Sequence, residues 1–384
     1  MNPKDLAELK RRLNPDKRNP SVICGYYVDH VGSPITAFEL NVGTLFEQEN
    51  ERYMSLFRRV LSGQIGQNLI PIGFEPDNPD YETLLRVRAG ALNDGEANQR
   101  LFARLIAGIQ AEHPDTQSVE EAQKADNWLI LLMNDTMDVR RRNSNDEIDY
   151  ENSDGSFNYI LCAVCPVKQD KTALRYDAQD GLFRERLAEW IVGNPALGFL
   201  FPLYEGGAAD VNTILFYSRD QHDAHGRFLE AAFNVQAIMP ASEQTDTFQT
   251  VLAQSLGTDC SLEVVQEMHE TVSGMIAEQN RDDEPLMLSG QDVARMLTES
   301  GVPEEKVEAF RNGYDQVFGA GTVLPAVNVV APKQFRVDLP SISIKVDPEQ
   351  ADQLETRTID GRSYLLIPID GDISVNGQPV FPKK

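Results

Sequence analysis

Four β-prone apolar runs follow one another, Trp128–Met133, Phe157–Val167, Gly198–Tyr204 and Asn212–Ser218, with loops rather than helices between most of them. Strands connected in that way pair as an antiparallel meander, whereas a parallel sheet needs a helical crossover after nearly every strand. The pattern therefore predicts an α+β protein, a mostly antiparallel sheet with flanking helices. Gly193-Asn194-Pro195 and Glu205-Gly206-Gly207 supply turn chemistry between the runs.

Helices are expected around this sheet. Leu6, Leu9 and Leu13 recur at three- and four-residue spacing and Asn14-Pro15 stops the helix they define over residues 3–13. Val22–Val28 and Ile35–Leu40 read as a hairpin, followed by a helix from Leu45 to Leu61 ended by Gly63. Residues 79–112 are helical with a break at Asn93-Asp94-Gly95, and Leu101, Leu105 and Ile109 mark a core face. From about residue 223 to 318 the periodicity is helical again. There Ser289 and Asp292 have capping spacing, Gly301 ends one helix and Pro303 opens the next. A β-rich end follows, with strands at Phe335–Leu339, Ile342–Val346, Tyr364–Ile369 and Ile373–Val375 and a short helix from Pro348 to Leu354. The expected division is an α+β body over 1–222, a helical region over 223–320 and a C-terminal β-rich unit over 321–384.

Of the 384 residues 41% are hydrophobic and 25% charged, as in ordinary globular chains. The first residues, Met1-Asn2-Pro3-Lys4-Asp5-Leu6, carry charges where a secretory leader needs an apolar stretch, and no run approaches the roughly 20 apolar residues of a membrane span. Four cysteines are too few for a disulfide framework, so a reducing cytoplasm is expected and a membrane association is not. The net charge of -25 opposes contact of the whole surface with DNA or anionic lipid. Local exceptions are two basic patches, Lys10, Arg11 and Arg12 near the start and Arg140, Arg141 and Arg142 further on. They are the candidate sites for an anion, nucleic acid or protein partner.

Candidate chemistry is sparse. Cys162 and Cys165 have the spacing of a redox or zinc pair, but on a strand residues three apart point to opposite faces, and a structural role is expected. Asp220, His222, Asp223 and His225 form the densest group of metal-ligand types, which without help from elsewhere reads as a polar turn capped by Asp223. The carboxylate-rich stretch Asn145–Gly155 lacks the glycine and glutamate that a calcium loop needs at its sixth and twelfth positions. The two helices flanking Gly301 have the spacing of a helix-turn-helix, but Glu304, Glu305 and Glu308 would face phosphates, so a structural hairpin is expected. No nucleophile elbow, metalloprotease, phosphate-loop or dinucleotide motif occurs. No cofactor, metal or catalytic residue is expected.

Several segments nonetheless resemble one family. Leu9–Lys17, Ile160–Lys168, Leu197–Pro202, Ile344–Pro348 and Arg357–Arg362 are similar to an uncharacterised bacterial family, domain-of-unknown-function family 4317, over nearly the whole chain. That resemblance implies no assigned activity. The order of a mixed body, helices and a C-terminal β unit also resembles the layout of the 37-kilodalton nucleoid-associated proteins. The resulting expectation is a non-enzymatic cytoplasmic interaction protein, self-associating or bound to a protein or nucleoid partner. The alternative is a metal-dependent hydrolase built from scattered carboxylates with His222 and His225.

Overall fold

A computed structural model describes residues 1–14, 22–75, 77–112, 126–142, 148–236, 238–279, 283–369, 373–375 and 377–380, and for 140–142 and 148–154 it describes the backbone alone. The chain forms two compact units, Met1–Glu243 with Arg281–Pro285, and Gln244–Asn280 with Leu286–Lys384.

The first unit is built on an antiparallel sheet. Its strands are β1 (Val22–Val28), β2 (Pro34–Asn41), β3 (Leu69–Gly73), β4 (Asn127–Arg142), β5 (Ile148–Gln169), β9 (Leu197–Phe201) and β12 (Thr213–Ser218), in the order β2-β1-β4-β5-β9-β12-β3. Between β5 and β9 lie β6 (Ala173–Asp177), β7 (Leu182–Arg186) and β8 (Trp190–Val192), and β10 (Leu203–Glu205) pairs with β11 (Ala208–Asp210) before β12. The expected antiparallel run β4-β5-β9-β12 is present, but the far edge is closed by β3, which comes from earlier in the chain. Pro71 sits in β3, and a proline is tolerated at an edge because the missing N–H faces away from the ladder.

Alternation along the strands separates two cores. Leu161, Ala163 and Cys165 of β5 join the core that also holds Leu6 and Leu9 of α1 (Pro3–Arg12) and Met54, Phe57 and Val60 of α2 (Glu47–Val60). Ile160, Cys162 and Val164 face the other way. They pack with Leu84 and Val87 of α3 (Pro79–Ala89), Leu101, Phe102, Leu105 and Ile109 of α4 (Gly95–Glu112), and Phe228 and Phe233 of α5 (Gly226–Phe233). Helices therefore cover both faces, which is why β5 reads as a continuous apolar run rather than as alternating apolar and polar residues.

The same alternation puts the Cys162 and Cys165 thiols in opposite cores, both fully buried, so they cannot meet. Burial pushes Cys165 up to about 12 and Cys162 well above its ordinary value, and Cys24 is raised to about 11. The thiolate is the reactive form, so these thiols are inert in the fold. An aromatic disulfide reagent at neutral pH should titrate at most Cys260, which is partly exposed, in native protein and all four cysteines in denaturant. Rapid native reaction of two or more would contradict this packing.

The second unit gathers α6 (Ala241–Leu256, from Gln244 onward), α7 (Leu262–Glu278), α8 (Gly290–Glu299) and α9 (Glu304–Phe318) around Phe248, Val272, Leu297, Phe310 and Tyr314. Ser289 and Asp292 form the expected capping box of α8, and Gly301, at φ +79°, turns the chain toward Pro303 and α9. Val307, Phe310 and Tyr314 bury one face of α9 while Glu304, Glu305 and Glu308 lie exposed on the other, a packed helical hairpin. Short strands β13 (Met287–Ser289) and β14 (Val323–Pro325) pair beside it, and α10 (Ala326–Val329) follows. The C-terminal hairpins are β15 (Phe335–Leu339) with β16 (Ile342–Val346), β17 (Glu355–Ile359) with β18 (Arg362–Leu366), and β19 (Ile373–Val375) with β20 (Gln378–Val380). Phe335, Ala351 and Leu354 pack with Leu262 and Val265 of α7.

Candidate interaction surface

Beyond Val167 the strand β5 leaves the cover of its helices and continues as a two-stranded ribbon. Val167, Lys168 and Gln169 pair with Val192, Ile191 and Trp190 of β8, and the Asp170 amide donates to the Glu189 carbonyl at 2.8 Å. The ladder resumes from Ala173↔Arg186 to Asp177↔Leu182 and closes in a turn at Gly181, at φ +64°, where the residue needs no Cβ.

The two faces of β6–β7 differ in chemistry, because residues directly opposite in an antiparallel pair share a face. Leu174, Tyr176 and Phe183 lie with Glu185 on one side, and the rings of Tyr176 and Phe183 stand 5.5 Å apart. Arg175, Arg184, Arg186 and Asp177 lie on the other, with Ala173 and Leu182. Arg186 pairs with Asp170 at 2.7 Å and Glu189 at 3.1 Å, and Arg184 pairs with Asp180. An alternating ribbon of this kind has one face suited to burial and one suited to water.

Neither face is covered among the described residues. Leu174, Tyr176, Leu182, Phe183, Leu187, Trp190, Ile191 and Val192 are between 40% and 73% exposed. These eight are more than a third of the 22 exposed large apolar side chains among the described residues, concentrated in 19 positions. Scattered apolar residues on a surface need no explanation, but a contiguous patch does. The eight fall on both faces of the ribbon, and at the exposures given, with large side chains presenting about 150–250 Å² each, the apolar face of Leu174, Tyr176 and Phe183 amounts to roughly 400 Å². Apolar patches of about 300–600 Å² on a monomer are often functional. Over residues 168–192 five cations balance five anions, so this segment is formally neutral in a chain of net charge -25.

The basic patches end differently. Leu6, Leu9 and Leu13 anchor α1 in the first core, so its cations stand on a docked helix rather than on a projecting arm. Arg12 donates from Nε to Asp135 Oδ2 at 2.9 Å and from Nη2 to Oδ1 at 3.2 Å and to the Thr136 carbonyl at 3.1 Å. Its hydrogen bond to Asp135 raises its proton affinity further. Asp135 also accepts from the Tyr159 hydroxyl at 3.1 Å. Lys10 is half-buried, and burial lowers its pKa. Arg11 is the exposed one of the three. Arg140, Arg141 and Arg142 end β4, and their side chains lie outside the described residues, as does most of the carboxylate-rich stretch from Asn145.

Before α5 the expected polar turn is present, but Asp223 does not cap the helix: the N-cap position is His225, at φ +51°, with no side-chain cap hydrogen bond. Asp220 and Asp223 accept from the His222 and His225 amides at 2.9 and 2.8 Å. His222 is exposed, whereas His225 turns inward toward Glu112 at the end of α4. Glu112 had no signal in the sequence, since it lies 113 positions before His225 and joins it only through packing of α4 against α5. The ribbon did carry a signal that sequence reading passed over. Ala173-Leu174-Arg175-Tyr176-Asp177 alternates, and Asp180-Gly181 is a strong hairpin dipeptide.

The fold is α+β with an exposed two-faced ribbon, and no helix among the described residues is long and apolar enough to cross a membrane. The chain belongs to the family described as a domain of unknown function, DUF4317, whose model matches residues 1–378. No curated protein matches it, nucleoid-associated proteins included.

Proposed function

We propose that this is a non-enzymatic interaction protein of the cytoplasm that associates with a second copy of itself through the ribbon at residues 168–192. The observation that carries the reading is the exposed apolar face of Leu174, Tyr176 and Phe183 on a ribbon whose other face is mostly charged. The ribbon's charge neutrality favours self-association in particular. Two chains of net charge -25 repel, and they approach at least cost where each surface is neutral and holds both signs. Four free cysteines, three of them buried, accord with a reducing compartment.

Ionic strength tests the reading. Screening weakens the long-range repulsion between like-charged copies and leaves burial of apolar area intact, so self-association should tighten as salt rises from low to physiological values. Binding to a nucleic acid through Lys10, Arg11, Arg12, Arg140, Arg141 and Arg142 should loosen over the same range, because phosphate contacts release counterions. Sedimentation equilibrium alone and with duplex DNA, at two salt concentrations, separates the outcomes. A protein that stays at 42.9 kDa at every salt and concentration would remove the self-association reading.

A further inference from the structure

A second site lies apart from the ribbon, where the end of α4 meets the start of α5. Glu112 Oε1 accepts the Phe228 amide at 2.9 Å and Asp223 Oδ1 accepts the His225 amide at 2.8 Å. One oxygen of each carboxylate is therefore held by a backbone amide. Glu112 Oε2 and Asp223 Oδ2 both face His225 Nδ1, and one ligand atom from each of the three residues lies within 4.8 Å of the other two. His225 and Glu112 are each 15% exposed and Asp223 is 51% exposed, so the group is sheltered on two sides and open to solvent on the third.

The spacing decides what the group can do. Nδ1 stands 3.5 Å from Asp223 Oδ2 and 3.9 Å from Glu112 Oε2. Both distances exceed the roughly 2.7–2.9 Å of a charge-assisted hydrogen bond, so the imidazole bonds neither oxygen directly. Metal bonds of about 2.0–2.1 Å in a tetrahedron put ligand atoms about 3.4 Å apart, close to the two separations from Nδ1. The two backbone amides act as outer partners that orient the carboxylates, and the Phe216 ring, edge-on at 6.4 Å, lies against the imidazole.

We infer that Glu112, Asp223 and His225 form a binding site for a divalent transition metal, with imidazole and carboxylate donors of the kind zinc accepts and a fourth position open to water. Bound metal would tie the loop before α5 to the end of α4. In that state His225 offers the Nδ1 lone pair and keeps its proton on Nε2.

Three conservative variants test the site, each retaining its backbone hydrogen bond or backbone conformation while losing a donor. Glu112→Gln and Asp223→Asn keep an oxygen for the capped amide. His225→Asn suits the left-handed conformation at φ +51°, which asparagine adopts readily. Full-length protein stripped with chelator is titrated with zinc alone, reading bound metal by elemental analysis after desalting and the rise in melting temperature. Wild type and His222→Ala should hold about one zinc per chain with a saturable rise. The three site variants should melt near wild type without metal and bind zinc at least ~10-fold more weakly. No retained zinc in wild type, or the same affinity in all three site variants, would overturn the site.

Discussion

Leu174→Thr, Tyr176→Thr and Phe183→Thr combined should give a chain that remains at 42.9 kDa at concentrations where wild type associates. Threonine keeps the strand preference of the ribbon and removes its apolar face. A large apolar side chain contributes about 1.5–3 kcal/mol when it passes from exposed to buried. Losing three at one interface corresponds to association weaker by at least ~1000-fold. The fold itself should be little affected, because the three are already 55% to 73% exposed and surface changes usually alter stability by less than about 0.5 kcal/mol. Arg175→Thr on the opposite face is the matched control and should leave association within a few fold of wild type. Equal loss in that control would mean that the apolar face is not the contact.

The second large effect concerns Arg12, which stability reads rather than binding. Asp135 is a buried carboxylate in contact with the fully buried Tyr159, and Arg12 is its cationic partner. Removing one partner of a buried pair leaves a charge without compensation and typically costs about 3–5 kcal/mol. Arg12 keeps a fifth of its side chain exposed, so Arg12→Ala should lie near the lower end, about 3 kcal/mol by denaturant unfolding. Adding Asp135→Asn should restore part of that loss, since the amide oxygen still accepts from Tyr159 and no buried charge remains. Arg11→Ala, at an exposed position, should be neutral. If Arg12→Ala unfolds at wild-type denaturant concentration, the pair contributes nothing and the helix cations are free for another role.

Much of this architecture was legible in residue pattern. The strands β4 and β5 announce themselves as unbroken apolar runs because helices cover both of their faces. Opposite facing of Cys162 and Cys165 follows from strand period alone, and the Ser289/Asp292 cap followed from spacing. What escaped was decided by tertiary context. Leu69–Gly73 is short and contains a proline, so it reads as a strand only beside β12. The ribbon alternates, but its apolar half is exposed in the monomer, and exposure is not written in alternation. Arg12 looked like one third of a basic patch until Asp135, 123 residues away, was placed beside it. Glu112 reached His225 by the same kind of long-range packing.

Amide hydrogen exchange measured across a wide range of protein concentration tests the proposed contact at its location. Amides of residues 173–192 should gain protection as concentration rises, while those of β4 and the helices covering it stay unchanged. Exchange along the ribbon that is fast and identical at all concentrations, or protection that grows elsewhere instead, would contradict the account.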